Sequence, residues 1–99
     1  MEPVIPFSAV LGSVFIEEGF DPAYFLVLPD AAQGEVAARV AGRKRAFGSV
    51  KVAATIGQSR WETTLLRRED RYVLPVKKPV RLAETLTEGD EVHAAIEVL

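Results

Sequence analysis

The segment from Val50 to Leu65 constrains this chain more than any other, because a turn signal and two alternating strands specify one register between them. Gly57-Gln58 places glycine first in a two-residue turn, the type II′ arrangement, whose twist matches that of the strands it joins. With that turn, Ile56 faces Ser59, Ala54 faces Trp61, Val52 faces Thr63 and Val50 faces Leu65. This set is mostly apolar, and small Ala54 leaves room opposite the bulky indole. The other face carries Lys51, Ala53, Thr55, Arg60, Glu62 and Thr64, nearly all polar. A slip of one residue would turn every side chain to the wrong side, so agreement between the strands fixes which face is wet. The hairpin is expected from Phe47 to about Arg67.

Other elements follow from the same kind of pattern. Val4 to Ile16 is a long apolar segment rich in β-branched and aromatic residues, read as the first strand, with Pro6 at its entry. A loop at Glu17-Glu18-Gly19-Phe20-Asp21-Pro22 ends it, and Tyr24 to Leu28 forms the second strand, stopped by Pro29. Asp30 with Gln33 suggests an N-cap and capping box. The helix that follows would bury Val36 and Val40, with Ala32 and Ala37 beside them, and end at Gly42. Leu65 to Leu74 folds back through Arg68-Glu69-Asp70, a loop whose lack of glycine leaves its register open. Pro79 suits the first turn of a second helix that would turn Leu82, Ala83 and Leu86 to the core. Thr87-Glu88-Gly89-Asp90 is a turn, and Val92, Ala94, Ile96 and Val98 alternate with polar neighbours as a final half-buried strand.

The order is therefore β-β-α-β-β-β-α-β, mainly β with two short helices and about six strands. A loose internal repeat runs through it. Leu28-Pro29 and Leu74-Pro75 each close a strand before a helix, 46 residues apart, while Val52 to Ile56 resembles Val92 to Ile96 at a spacing of 40. Helices this short cannot cover an open sheet, so a small closed or nearly closed β-barrel of two similar halves is expected, since closure removes exposed edges.

Ninety-nine residues, 48% of them hydrophobic, suffice for one domain spanning 1–99 and a core of its own. No apolar run is long enough to span a bilayer, and Met1 to Pro6 has no basic residue and two prolines, unlike a secretory signal. The absence of cysteine excludes disulfides and thiolate metal sites and fits a cytoplasmic protein. The net charge of −2 conceals a segregation: all 12 basic residues lie between Arg39 and Arg81, with acids dominating on both sides. Such blocks form either a basic face for an anionic partner or pairs between strands that the barrel brings together.

Nothing in the sequence argues for an enzyme. The only histidine, His93, falls on the wet side of the last strand near Asp90, without a nucleophile or orienting group at a motif spacing. There is no phosphate-binding glycine loop or dinucleotide fingerprint, and no metal or cofactor is expected. Trp61 belongs to the core rather than to a base-stacking platform. Lys77, Lys78 and Arg81 stand apart. Cations at the start of a helix oppose its dipole, so stability alone would put acids there; either the lysines are solvated or paired with Glu84, Glu88 or an N-terminal acid, or an anion is bound at that point. Arg43, Lys44 and Arg45 suit the negative end of the first helix and are the second candidate for anion or nucleic-acid contact.

The run Val73-Leu74-Pro75-Val76-Lys77-Lys78, followed by Glu88-Gly89-Asp90-Glu91-Val92, resembles a bacterial family known as a domain of unknown function, DUF 1905. Tyr24 to Pro29, the Val52 to Leu65 hairpin and Phe7-Ser8-Ala9-Val10 share its pattern, so the resemblance covers essentially the whole chain. Pro79 and the glycine-free Arg67–Arg71 loop depart from it. The resemblance implies a double-split β-barrel similar to those of the AbrB and MazE transcription factors, with one chain supplying both halves, and no established activity. Three functions remain open: a non-enzymatic barrel that binds an anionic partner such as nucleic acid through a basic face; a small-molecule-binding or catalytic barrel with an apolar pocket; or an antitoxin-like module that holds a protein partner through its first segment. Whether it is a monomer or a homodimer is open as well.

Overall fold

A computed structural model describes residues 4–15, 19, 22–42 and 50–99. Seven strands and two helices follow in the order β1 (Val4–Val10), β2 (Gly12–Val14), β3 (Ala23–Val27), α1 (Asp30–Val40), β4 (Val50–Ile56), β5 (Ser59–Arg68), β6 (Arg71–Pro75), α2 (Lys78–Ala83) and β7 (Glu91–Val98). The strands form one antiparallel sheet in the order β1-β7-β4-β5-β6-β3-β2, curled into a half-barrel.

The β4–β5 hairpin has the register expected from Gly57-Gln58, from Ile56↔Ser59 to Val50↔Leu65. Gly57 adopts φ 57° while Gln58 keeps a negative φ, as a type II′ turn requires. The Glu84 carboxylate lies over Gly57 where a side chain would project and accepts a hydrogen bond from Ser59 Oγ at 2.7 Å. Trp61 sits opposite Ala54, half-buried against the core.

The first strand differs from expectation. It breaks at Leu11 into β1 and β2, which lie at opposite ends of the sheet order. The break is a change of partner. Phe7 to Val10 pair with β7, Leu11 bonds through its own N–H and C=O to Asp90 and Gly89, and Gly12 onward pairs with β3. The Phe25 ring lies 3.2 Å from where a Cβ on Gly12 would stand, so glycine lets the aromatic ring cover the strand at this point. β5 does the same work without a break, pairing with β4 through Leu65 and with β6 from Leu66.

The repeat is present but shifted. Leu26 pairs with Leu74, and the helix N-caps are Pro29 and Lys77, so Tyr24 corresponds to Tyr72, Leu28 to Val76 and Gln33 to Arg81. The two Leu-Pro pairs are two residues out of this register. Equivalent strands lie side by side and antiparallel, β3 with β6 and β4 with β7, as a two-fold relation demands.

Apolar side chains from the strands make one cluster on the concave side, including fully buried Ile5, Leu26, Val52, Leu65, Leu74 and Ile96. Complete burial of each such side chain contributes about 1.5–3 kcal/mol. Helix α1 adds Ala32 and Val36, while Val40 is half-buried and Ala37 exposed. Helix α2 turns Val80 inward instead of Leu82 and Ala83, with Leu82 66% exposed, while Leu86, just past the helix, packs half-buried against the core as expected. A six-residue helix has one inward direction, and placing Arg81 on Tyr24 beside Val80 points Leu82 to solvent. The expected capping box is absent. Pro29 is the N-cap, no side chain caps α1, and Gln33 reaches β6 instead. Ile16, the acidic pair Glu17-Glu18, Phe20-Asp21 and Phe47 to Ser49 lie outside the described residues. Among the described residues no helix is long and apolar enough to cross a membrane.

Candidate functional site

The β3–β6 ribbon extends by one backbone hydrogen bond at each end, and each end meets the first turn of a helix. Leu28 N–H donates to Tyr72 C=O at 3.2 Å, and Val76 N–H donates to Tyr24 C=O at 2.9 Å. The shifted repeat makes these ends equivalent, yet their side chains differ.

At the α1 end the polar side chains bond to the ribbon and to each other. Gln33 Nε2 donates to Leu28 O and Tyr72 O, each at 2.9 Å, and Gln33 Oε1 accepts Tyr72 N–H at 2.8 Å. Arg71 donates to Leu28 O at 3.0 Å and to Asp30 Oδ1 at 2.9 Å. The arginine fills the space beside the ribbon, and the acid neutralises it.

At the α2 end the equivalent places hold Ala23 for Arg71 and Lys78 for Asp30. The small residue leaves a cleft of about 240 Å³, lined by Pro22, Ala23, Tyr24, Pro75, Val76, Lys77, Lys78 and Arg81. Arg81 lies with its guanidinium carbon 3.7 Å from the centre of the Tyr24 ring. A cation over an aromatic face gains roughly 0.5–2 kcal/mol. Arg81 Nε is buried without a hydrogen-bond partner. A buried donor left unmet costs about 1–3 kcal/mol. None of the described residues lining the cleft is an acid.

Lys77, Lys78 and Arg81 are thus brought together, joined by Tyr24 from β3. Backbone donors add little. Pro79 has no N–H, and Val80 and Arg81 both donate to Lys77 O, at 3.0 and 3.1 Å. Any anion there is held by side chains. Arg43, Lys44 and Arg45 lie outside the described residues.

Three of the other described basic residues stand beside carboxylates. Arg60 approaches Glu97 at 3.8 Å, Arg71 pairs with Asp30 and Arg67 with Asp70 at 3.7 Å. Two of these join the basic middle of the chain to its acidic flanks. Arg67 and Arg68 also lie over Tyr72 and Phe25, at 5.0 and 5.4 Å.

His93 is exposed on β7, and its Nδ1 is 2.6 Å from Ser8 Oγ on the neighbouring strand. Asp90 turns elsewhere and accepts Thr87 N–H at 2.8 Å. Among the described residues no carboxylate is hydrogen-bonded to the ring, and the contact joins two neighbouring strands. Among the described residues no group of three or more His, Asp or Glu could hold a metal ion.

Sequence reasoning missed Tyr24 and Ala23. The shared Tyr-x-Leu of Tyr24–Leu26 and Tyr72–Leu74 was the signal that aligns the halves and sets Arg81 opposite Gln33.

The chain belongs to the family described as Domain of unknown function (DUF1905), whose model matches residues 7–96. No curated protein matches it.

Proposed function

We propose that this domain is a binding module, not a catalyst, and that it holds the anionic group of a ligand in the cleft of Tyr24, Lys77, Lys78 and Arg81. One observation carries this reading. Two equivalent ends of one ribbon differ in that the first is filled and neutralised by Arg71, Asp30 and Gln33, while the second is open, cationic and without an acid among its described lining residues. A stability role explains the first end. For the second it explains neither the space beside Ala23 nor the unmet Arg81 donor.

A nucleic-acid backbone is the polymeric form of such an anion. The pairing of Arg60, Arg67 and Arg71 with carboxylates speaks for a small ligand instead, because a duplex or strand is bound through a run of unneutralised cations. The antitoxin-like alternative needs a free first segment, and Val4 to Val14 is engaged as strands in the sheet. We further infer that the curled sheet closes as the double-split barrel implied by the family resemblance. Its support is that a single residue, Leu11, separates two strands at opposite ends of the sheet order.

The test is titration of isotope-labelled protein with inorganic phosphate and with single-stranded DNA, for the parent and for Lys77→Glu/Lys78→Glu. Small-anion binding predicts shifts at residues 22–24 and 75–81 that the double variant abolishes. If no anion moves those signals, the reading is wrong. If DNA binds far more tightly than phosphate and releases steeply between about 50 and 200 mM salt, the polymer form is correct instead.

A further inference from the structure

We infer that the ligand of this cleft is a phosphomonoester carrying one small apolar arm, a reading that rests on the anion-binding function proposed above. The charge of the site argues for the phosphate. Arg81 and Lys77 meet at the cleft, and no acid is among its described lining residues. A carboxylate brings one negative charge. A phosphomonoester brings about −1.5 to −2 at pH 7 and three strong acceptor oxygens, which matches several cationic donors better than one. Arg81 is also held in place for it. Contact with Tyr24, 3.7 Å from guanidinium carbon to ring centre, anchors the side chain, and the planar fork of donors on a guanidinium suits phosphate.

The size and walls of the cleft argue for the arm. A cavity of about 150 Å³ holds a benzene molecule, whereas sites for drug-sized ligands span about 300–1,000 Å³. The 240 Å³ here lies between them. The volume accommodates a phosphate and roughly one ring or a short chain. Pro22, Ala23, Pro75 and Val76 present apolar side chains, so hydroxyls on the arm would lose water without gaining partners. A phosphodiester is disfavoured twice, since it carries a single charge and requires room for two arms.

The experiment compares phenyl phosphate, benzoate, methyl phenyl phosphate and inorganic phosphate by calorimetry and by chemical-shift mapping on the parent protein. Phenyl phosphate is expected to bind at least about tenfold more tightly than each of the others. Its affinity should fall as pH drops from about 7 to about 5, because its second ionisation lies near 6. The charged and titratable groups around the phosphate are Lys77, Lys78, Arg81 and Tyr24, with no carboxylate or imidazole among the described lining residues, so that fall reports the ligand. Arg81→Met should weaken binding about tenfold. Lys77→Met, at an exposed position, reads the same contact if the arginine variant does not fold. Equal binding of benzoate or of the diester overturns the inference, as does an affinity that is flat with pH. If all anions bind alike and all need Lys77, the anion-binding function stands and the phosphomonoester falls. If none binds, both fall.

Discussion

The two ends of the β3–β6 ribbon are built on one plan and finished differently. At one, Gln33 satisfies backbone groups of Leu28 and Tyr72, and Arg71 pairs with Asp30 and Leu28 O. At the other, Arg81 takes the place of Gln33, rests on the Tyr24 ring and leaves its Nε without a hydrogen-bond partner. The halves therefore separate two tasks. The closed end holds α1 to the sheet, and the open end is relieved of that task because Val80 and Glu84 anchor α2 through the core and the β4–β5 turn. A repeated fold can dedicate one copy of a position to stability and leave the other for a ligand.

Transplanting one end onto the other breaks the comparison most directly. Ala23→Arg combined with Lys78→Asp should rebuild the closed end, abolish anion binding in titration and leave the thermal midpoint within a few degrees of the parent. Persisting affinity would mean that the cleft is not the site. Next in size, Gln33→Ala removes the hydrogen bonds to Leu28 and Tyr72 and should lower stability in urea by about 2–3 kcal/mol. Arg81→Leu at the equivalent place should cost less than about 1 kcal/mol, since it loses chiefly a ring contact. Equal losses would show that the two ends are not functionally distinct.

The two tight turns sharpen the contrast further. Gly57-Gln58 uses glycine where φ is positive, whereas Glu69 and Asp70 both adopt positive φ, 52° and 65°, between Arg68 and Arg71. That is the pattern of a type I′ turn, for which Asn-Gly is favoured, and left-handed backbone costs other residues about 1–2 kcal/mol. Glu69→Asn/Asp70→Gly should raise the melting temperature by about 4–8 °C for each kcal/mol regained. Smallest of all, Asp30→Asn exchanges one exposed ion pair for a neutral contact, and no change in melting temperature is expected.

What was legible in the chain depended on whether the signal was local. The β4–β5 register could be read because two adjacent strands agree on their wet face and Gly57 marks the bend. The β5–β6 turn was not fixed, since Glu69 and Asp70 are forced into left-handed backbone by strands already paired around them. The break at Leu11 was invisible because burial continues through it, from Ile5 and Phe7 to Leu11, while only the hydrogen-bond partner changes. Gln33 has the spacing of a capping residue, but its partners on Tyr72 lie 39 residues away. The lysines and Arg81 stood out as cations that helix stability does not explain. Ala23 carries no chemistry of its own, and it opens a cleft only by standing where the other half has arginine.

The pairing of β1 with β7 has a consequence for how the protein is made. Ser8 and His93 touch across 85 residues of chain. At a synthesis rate of about 5–20 residues per second, that separation takes roughly 4–17 s. Throughout that interval Ile5 and Phe7 have no β7 to pair with, so β1 takes its place in the sheet only after the last strand has been made.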